Sequence, residues 1–250
     1  MDKLILDPQW QPQRKIDFPG RNKIQEWYTQ RDFGHNALVV HIEELFTVKE
    51  CESLIEYSLC KGYEKAMVNV GGGLQVMDTV TRRGDRCIID SREISDAIFS
   101  RIREELPPEM CPDLYEKKNG KQTAIGLNER LRFLAYHRGG YFVPHFDGSF
   151  VYEDRDSDRF NCKTYMTCMI YLNEEFEGGG TSFLNPAKSF HASEDASEED
   201  RVTFVPKTGS VLLFDHKMFH AGDLLVGGTK YAIRTDVCFR KQVTNASSQK

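Results

Sequence analysis

The chain has 250 residues, enough for one substantial core at the usual roughly 100–200 residues per domain, so one domain with N-terminal decoration is expected. Hydrophobic residues make up 40% and charged residues 28%, ordinary for a globular protein, and a formal net charge of −5 offers no general attraction to a phosphate backbone, so nucleic acid is not an expected partner. The first twenty residues hold only a short apolar run broken by polar residues and proline; with neither a signal-peptide core nor a span of about 20 apolar residues, the expected location is intracellular, in the cytoplasm and off the membrane.

In chain order, residues 1–36 are polar with weak periodicity and read as an arm docked partly on the domain. Residues 37–125 read as a supporting region of helices and strands. There, Thr47-Val-Lys-Glu50 is a capping box opening a helix with Cys51, Leu54, Ile55 and Leu59 at helical spacing and Gly62 as its stop. A second helix starts near Asp90-Ser-Arg-Glu93, carries Ile94, Ala97, Ile98, Ile102 and Leu106 on one face, and ends at Pro107-Pro108. From residue 126 to 243 the texture changes to short β-like runs separated by turns (LRFLAY, YFVPHFD, YMTCMIYLN, TSFL, VTFVP, SVLLF, YAIRTDVCF), which suggests an all-β barrel or jelly roll. Residues 148–163 and the acidic 185–201 interrupt it; the first has apolar side chains to act as a lid, the second reads as solvated, and 244–250 is a polar tail. Seven scattered cysteines without a CxxC pair fit free, buried thiols.

The chemistry gathers in the second half. His145 and Asp147 are two apart on an extended run, so both side chains project to one face. His-x-Asp alone is weak evidence. The third candidate is His220, just beyond the apolar run SVLLF, because a jelly roll brings such distant edges together. Two imidazoles and one carboxylate with open positions opposite form the facial triad of non-haem Fe(II) sites that activate O2, unlike a closed four-ligand zinc site. His216 competes for the third place, but lacks the glutamate of a metalloprotease helix and is assigned a supporting role; His35, His41, His137 and His191 have no partner at ligand spacing. Lys230 and Arg234 share strand parity, and an inward cation needs an anion, for which the distal carboxylate of 2-oxoglutarate is a candidate; pairing of Arg234 with Asp236 or Glu129 is equally consistent. Asn128, Arg130 and Arg132 alternate along a strand bordering the site, where a solvated face is preferred to a substrate contact.

Taken together, Tyr136, His145-Phe-Asp147, Thr167-Cys-Met-Ile-Tyr171-Leu-Asn173, Gly179-Gly-Thr181-Ser-Phe183, His220-Ala-Gly222 and Lys230 resemble, in order and spacing, the prolyl-4-hydroxylase-like branch of the iron(II)/2-oxoglutarate-dependent dioxygenases. The resemblance spans residues 126–240, with a weaker likeness from Leu38 to Pro107. It implies a mainly β fold with helical support, a double-stranded β-helix core with N-terminal helices packed on it. It implies Fe(II), 2-oxoglutarate and O2 as cofactor and cosubstrates, with ascorbate as reductant. It also implies that Tyr171 bonds the distal carboxylate of 2-oxoglutarate beside Lys230, and that Tyr136 and Thr167 line that pocket. The expected reaction is hydroxylation of a C–H bond, with a protein side chain such as prolyl as first substrate and a small molecule or free amino acid as alternative. A non-catalytic metal-binding sensor or scaffold is the reading from another class. Arg234-Thr-Asp236 departs from the small or apolar residue followed by Trp that many relatives carry, and makes the pocket more polar.

Overall fold

The computed structural model describes residues 6, 14–16, 21–29, 38–71, 74–106, 122–189 and 197–241. Two antiparallel sheets carry the architecture. The larger runs from Arg14–Ile16 through Val39–Glu43, Val211–Asp215, Lys163–Tyr171, Leu225–Lys241, Arg130–His137 and Asp85–Asp90 to Glu64–Lys65. Gln122–Leu127 and Phe176–Gly178 pair with the two ends of the long strand Leu225–Lys241. The smaller sheet orders Arg201–Phe204, Thr181–Leu184, His220–Gly222, Tyr141–His145 and Arg82–Arg83. Each β-like run expected from sequence lies on one of these strands, and the jelly-roll expectation is borne out.

Period-two alternation sorts the larger sheet into two faces. One face presents Leu131, Phe133, Ile170, Leu213 and Ile233 to the helices Val48–Lys61 and Arg92–Ile102, whose Leu54, Ile94, Ile98 and Ile102 fill the same core. The other face presents Tyr171, Leu212, Phe214 and Ala232 towards Phe183 and Phe204 of the smaller sheet. The space between the sheets is therefore part core and part cavity.

The supporting helices follow their signals with small differences. The Thr47 hydroxyl accepts from the Glu50 amide and the Glu50 carboxylate accepts from the Thr47 amide, closing the box, and Gly62 ends the helix at φ 88°. The second helix starts at Arg92, within the expected stretch, with Ser91 as its N-cap and Asp90 in the preceding strand. It gives way after Ile102 to a tight turn over Arg103–Glu105, and Pro107-Pro108 lie outside the described residues.

The arm is more than decoration. Arg14–Ile16 pairs with Val39–Glu43, and Arg21–Thr29 forms a helix that buries Ile24, Trp27 and Tyr28 between the sheets. Within 148–163, Tyr152 and Cys162 pack on Cys238 at the flank of the larger sheet instead of over the cavity, and only Gly148, Ser149 and Phe150 border it. The lid expectation therefore narrows to three residues. Of the acidic segment, 190–196 lies outside the described residues, while Asp200 at its end is buried and accepts from Asn185 and Ser197. Cys51, Cys87, Cys162, Cys168 and Cys238 are free and buried, Cys60 is free and exposed, and Cys111 lies outside the described residues. No described helix is long and apolar enough to cross a membrane.

Candidate metal centre and cosubstrate pocket

His145 and His220 stand directly opposite each other on neighbouring strands of the smaller sheet, with a register irregularity between Phe142 and His145. Their rings lie 4.3 Å apart. His145 Nδ1 is 2.8 Å from the Val143 carbonyl and His220 Nδ1 is 2.9 Å from the Met218 carbonyl. A carbonyl only accepts, so each Nδ1 carries the proton and each Nε2 keeps its lone pair. Both lone-pair nitrogens face Asp147: His145 Nε2 is 3.7 Å from one carboxylate oxygen and His220 Nε2 is 3.6 Å from the other. One donor atom from each residue lies within 4.8 Å of the others, a spacing that fits a single metal ion.

Burial lowers the pKa of both imidazoles, and the neighbouring His220 adds to the effect at His145, taking it to about 3; neutral rings of this kind are ready ligands. Burial alone would raise the Asp147 pKa, but the Arg234 guanidinium and the surrounding histidines outweigh it and hold the carboxyl well below its usual range. Asp147 is held at three points, two of them on its carboxylate. Its backbone amide donates to the His216 carbonyl at 3.0 Å, the Thr167 hydroxyl donates to Oδ2 at 2.5 Å, and Arg234 meets Oδ1 at 3.0 Å.

His216 has the supporting role expected of it: its Nε2 lies 3.2 Å from Asp236, which also pairs with Arg234 at 3.0 Å and Arg132 at 3.3 Å. Arg234 pairs with Asp236, as one of its two sequence readings has it, and also lies on the cavity wall. His41 packs edge-on against Phe204, His137 sits at the surface 3.6 Å from Asp85, and His35 and His191 lie outside the described residues.

Behind the triad a cavity of about 510 Å³ runs between the sheets, with His145, Asp147, His220, Tyr136, Lys230 and Arg234 on its wall. Lys230 is buried; loss of solvation lowers its pKa to about 8, partly offset by Asp223, and its ammonium donates to the Gly179 carbonyl at 2.5 Å. The turn that brings this carbonyl in needs glycine, because Gly179 has φ 65° and a Cβ there would meet Leu225 at 2.7 Å. Two residues differ from expectation. Tyr171 and Thr167 are wholly buried behind the wall: the Tyr171 hydroxyl is bonded to Thr181 at 2.7 Å, and Thr167 is committed to Asp147. Thr181 is what faces the cavity beside Lys230, marked in sequence only by its place after the two glycines. Sequence reasoning also missed Tyr28, whose hydroxyl accepts from the Phe219 amide at 2.6 Å, next to His220. Of the alternating strand residues, Arg132 reaches the cavity, Arg130 pairs with exposed Asp90, and Asn128 caps the Arg130 amide.

The donor set fits Fe(II), with two neutral imidazoles and one carboxylate leaving room on the cavity side. The buried Lys230 cation on the cavity wall fits the second carboxylate of a dicarboxylic acid.

Comparison with known proteins agrees. The family model of the 2OG-Fe(II) oxygenase superfamily matches residues 131–235, the stretch that holds the triad and Lys230. No curated protein sequence matches the chain. Among solved structures, a prolyl hydroxylase from Trichoplax adhaerens, in complex with a hypoxia inducible factor oxygen degradation domain peptide fragment, superposes with a TM-score of 0.52 at 16% identity, covering 87% of this chain and 88% of that one. The viral collagen prolyl hydroxylase of Paramecium Bursaria Chlorella virus-1, in complex with 2OG, superposes with a TM-score of 0.50 at 20% identity, covering 80% and 95%. At such identities the likeness establishes a shared fold.

Proposed function

We propose that the chain hydroxylates a substrate C–H bond at the His145, Asp147 and His220 centre, on the match of residues 131–235 to the 2OG-Fe(II) oxygenase family model and the three clustered ligand side chains. In the balanced reaction R–H, O2 and 2-oxoglutarate give R–OH, succinate and CO2. The observation that carries this reading is the opposed pair of histidines, both protonated at Nδ1 and both turning Nε2 to one carboxylate. Bound Fe(II) supplies the redox chemistry that couples oxidative decarboxylation of the 2-oxo acid to oxidation of substrate.

The chain's own residues orient and shield. His145, Asp147 and His220 hold the metal, Arg234 keeps the Asp147 carboxylate ionised, Thr167 aims it, and His216 steadies Asp236 beside them. Lys230 takes the distal carboxylate of 2-oxoglutarate, helped by Thr181, which Tyr171 holds in place from behind, while Tyr136 closes the side wall. Excluding water strengthens each of these contacts. Ascorbate fits as the reductant that restores Fe(II) after turnover without substrate.

A prolyl side chain of a peptide is the first substrate to test, on the likeness to prolyl hydroxylases. A small acid is the second reading, favoured by the arginines of the cavity wall. The test incubates the chain with Fe(II), 2-oxoglutarate, ascorbate and O2, following succinate and, by mass spectrometry, gain of one oxygen in candidate peptides and metabolites. His145→Ala, Asp147→Ala and His220→Ala should each abolish succinate release and lower metal occupancy with the fold intact. Unchanged occupancy in all three would refute the assignment, and retention only in His220→Ala would move the third ligand to His216.

A further inference from the structure

The cavity has more cation than the metal and its cosubstrate can use. On the larger sheet Arg86 stands opposite Leu134 and Leu134 opposite Ala232, while one pleat further along Arg132 stands opposite Arg234. Directly opposed residues and residues two apart share a face, so all five point to the same side, and all line the cavity. Arg82 joins them from the smaller sheet. Its guanidinium lies 4.7 Å from the centre of the Phe142 ring, which stacks at 3.7 Å on His145. Arg82 thus stands one aromatic ring away from a candidate metal ligand.

Among the described residues the wall holds five cationic side chains, Arg82, Arg86, Arg132, Lys230 and Arg234, against three carboxylates, Asp147, Asp223 and Asp236. Those carboxylates have partners: Asp147 pairs with Arg234, Asp236 with Arg132 and Arg234, and Asp223 with Arg201 at 2.9 Å. Arg86 has Glu64 opposite it on the edge strand, whose side chain is exposed. Arg82 makes no ion pair among the described residues, and its buried Nε has no hydrogen-bond acceptor. The charges of Fe(II) and 2-oxoglutarate cancel, so loading both brings no net counter-charge to Arg82. Burial and the nearby Arg82 and Arg132 charges depress the pKa of Arg86, which marks three cations close enough to repel one another. An anion seated among them relieves that repulsion.

We propose that Arg82 and Arg86, backed by Arg132, form an anion-recognising wall, and that the substrate docks on it through a carboxylate, carried either by a free acid or by an acidic side chain of a peptide. This deepens the oxygenase reading and rests on it. The test is isothermal titration of the full chain, with and without Zn(II) and 2-oxoglutarate. N-acetylalanine is compared with N-acetylalaninamide, and a capped alanyl-glutamyl-alanine peptide with its glutamine counterpart. In the loaded chain the acid of one pair should bind roughly tenfold or more tighter than its neutral twin, as befits a charge-assisted hydrogen bond, and the pair that responds identifies the source of the carboxylate. Arg82→Gln and Arg86→Gln should each remove most of that preference, and Arg82→Lys should keep most of it. Equal binding of acid and neutral twin in both pairs, or a preference intact in both glutamine variants, would overturn the wall. So would a preference seen only without 2-oxoglutarate, since the acids would then be occupying the Lys230 end. Failure of succinate release under Fe(II) and O2 would strike the oxygenase reading and leave this titration standing.

Discussion

Asp147 shows how much of a metal site lies outside its ligands. Its carboxylate is aimed by a hydroxyl and a guanidinium, and removing either leaves the ligand set complete but loosely held. Thr167→Val keeps the shape of a wholly buried side chain and deletes only that hydroxyl, so metal affinity should fall roughly ten- to a hundredfold with little change in circular dichroism. Titration with Mn(II) or Zn(II) measures it, and unaltered affinity would mean that Arg234 alone suffices. Lys230 gives a pH signature. Its pKa is lowered to about 8, so the ammonium is charged at neutrality and loses its proton as pH rises through that value. A bound carboxylate holds the proton, hence affinity for 2-oxoglutarate should be level below about pH 8 and weaken above it. Lys230→Arg keeps its charge throughout, so its half-saturating concentration should not show that rise. The triad and Lys230 were legible because residue type and strand parity survive in sequence. The burial of Tyr171 and Thr167 behind the wall was not, since parity says which face a residue takes and not what stands in front of it.

At the scale of elements, short β-like runs marked the principal strands after residue 126 but none of the strands before it, and capping chemistry marked the two supporting helices. Which strand lies beside which was hidden, because register is decided by partners far away in the chain. The helix Arg21–Thr29 was missed for a different reason. Ile24, Trp27 and Tyr28 do have helical spacing, but in a nine-residue segment the pattern is too short to stand out from polar surroundings. Its packing nevertheless reaches the site, because Tyr28 accepts from the amide of the residue before His220. Tyr28→Phe removes that acceptor inside the core, and a buried donor left without one costs about 1–3 kcal/mol. A drop of that order in unfolding free energy, with weakened metal affinity, is the expected result of denaturant and metal titrations; a loss of stability without any change at the metal would confine the helix to a structural part.

For the whole molecule, the segment 148–163 is tied down at its middle. Arg159 is 2% exposed, donates to the Leu127 carbonyl, and meets Glu129 at 2.8 Å. Substrate-linked motion should therefore be confined to Gly148–Phe150, and limited proteolysis should leave 153–158 uncut whether or not cosubstrate is present. Arg159→Met leaves the Leu127 carbonyl and Glu129 without their cation, so it should lower the melting temperature and open a cleavage site in that stretch. The direct opposition of His145 and His220 also bears on how the chain folds. The two belong to segments far apart in sequence, and a slip of one residue in their pairing would turn one imidazole to the other side of the sheet. Such long-range pairings form slowly, because the intervening chain must first surrender its freedom. The ion can be gripped only once that pairing is in register, so metal should leave the refolding rate nearly unchanged while slowing unfolding, and the capture of iron becomes a late proofreading step that retains only correctly zipped molecules.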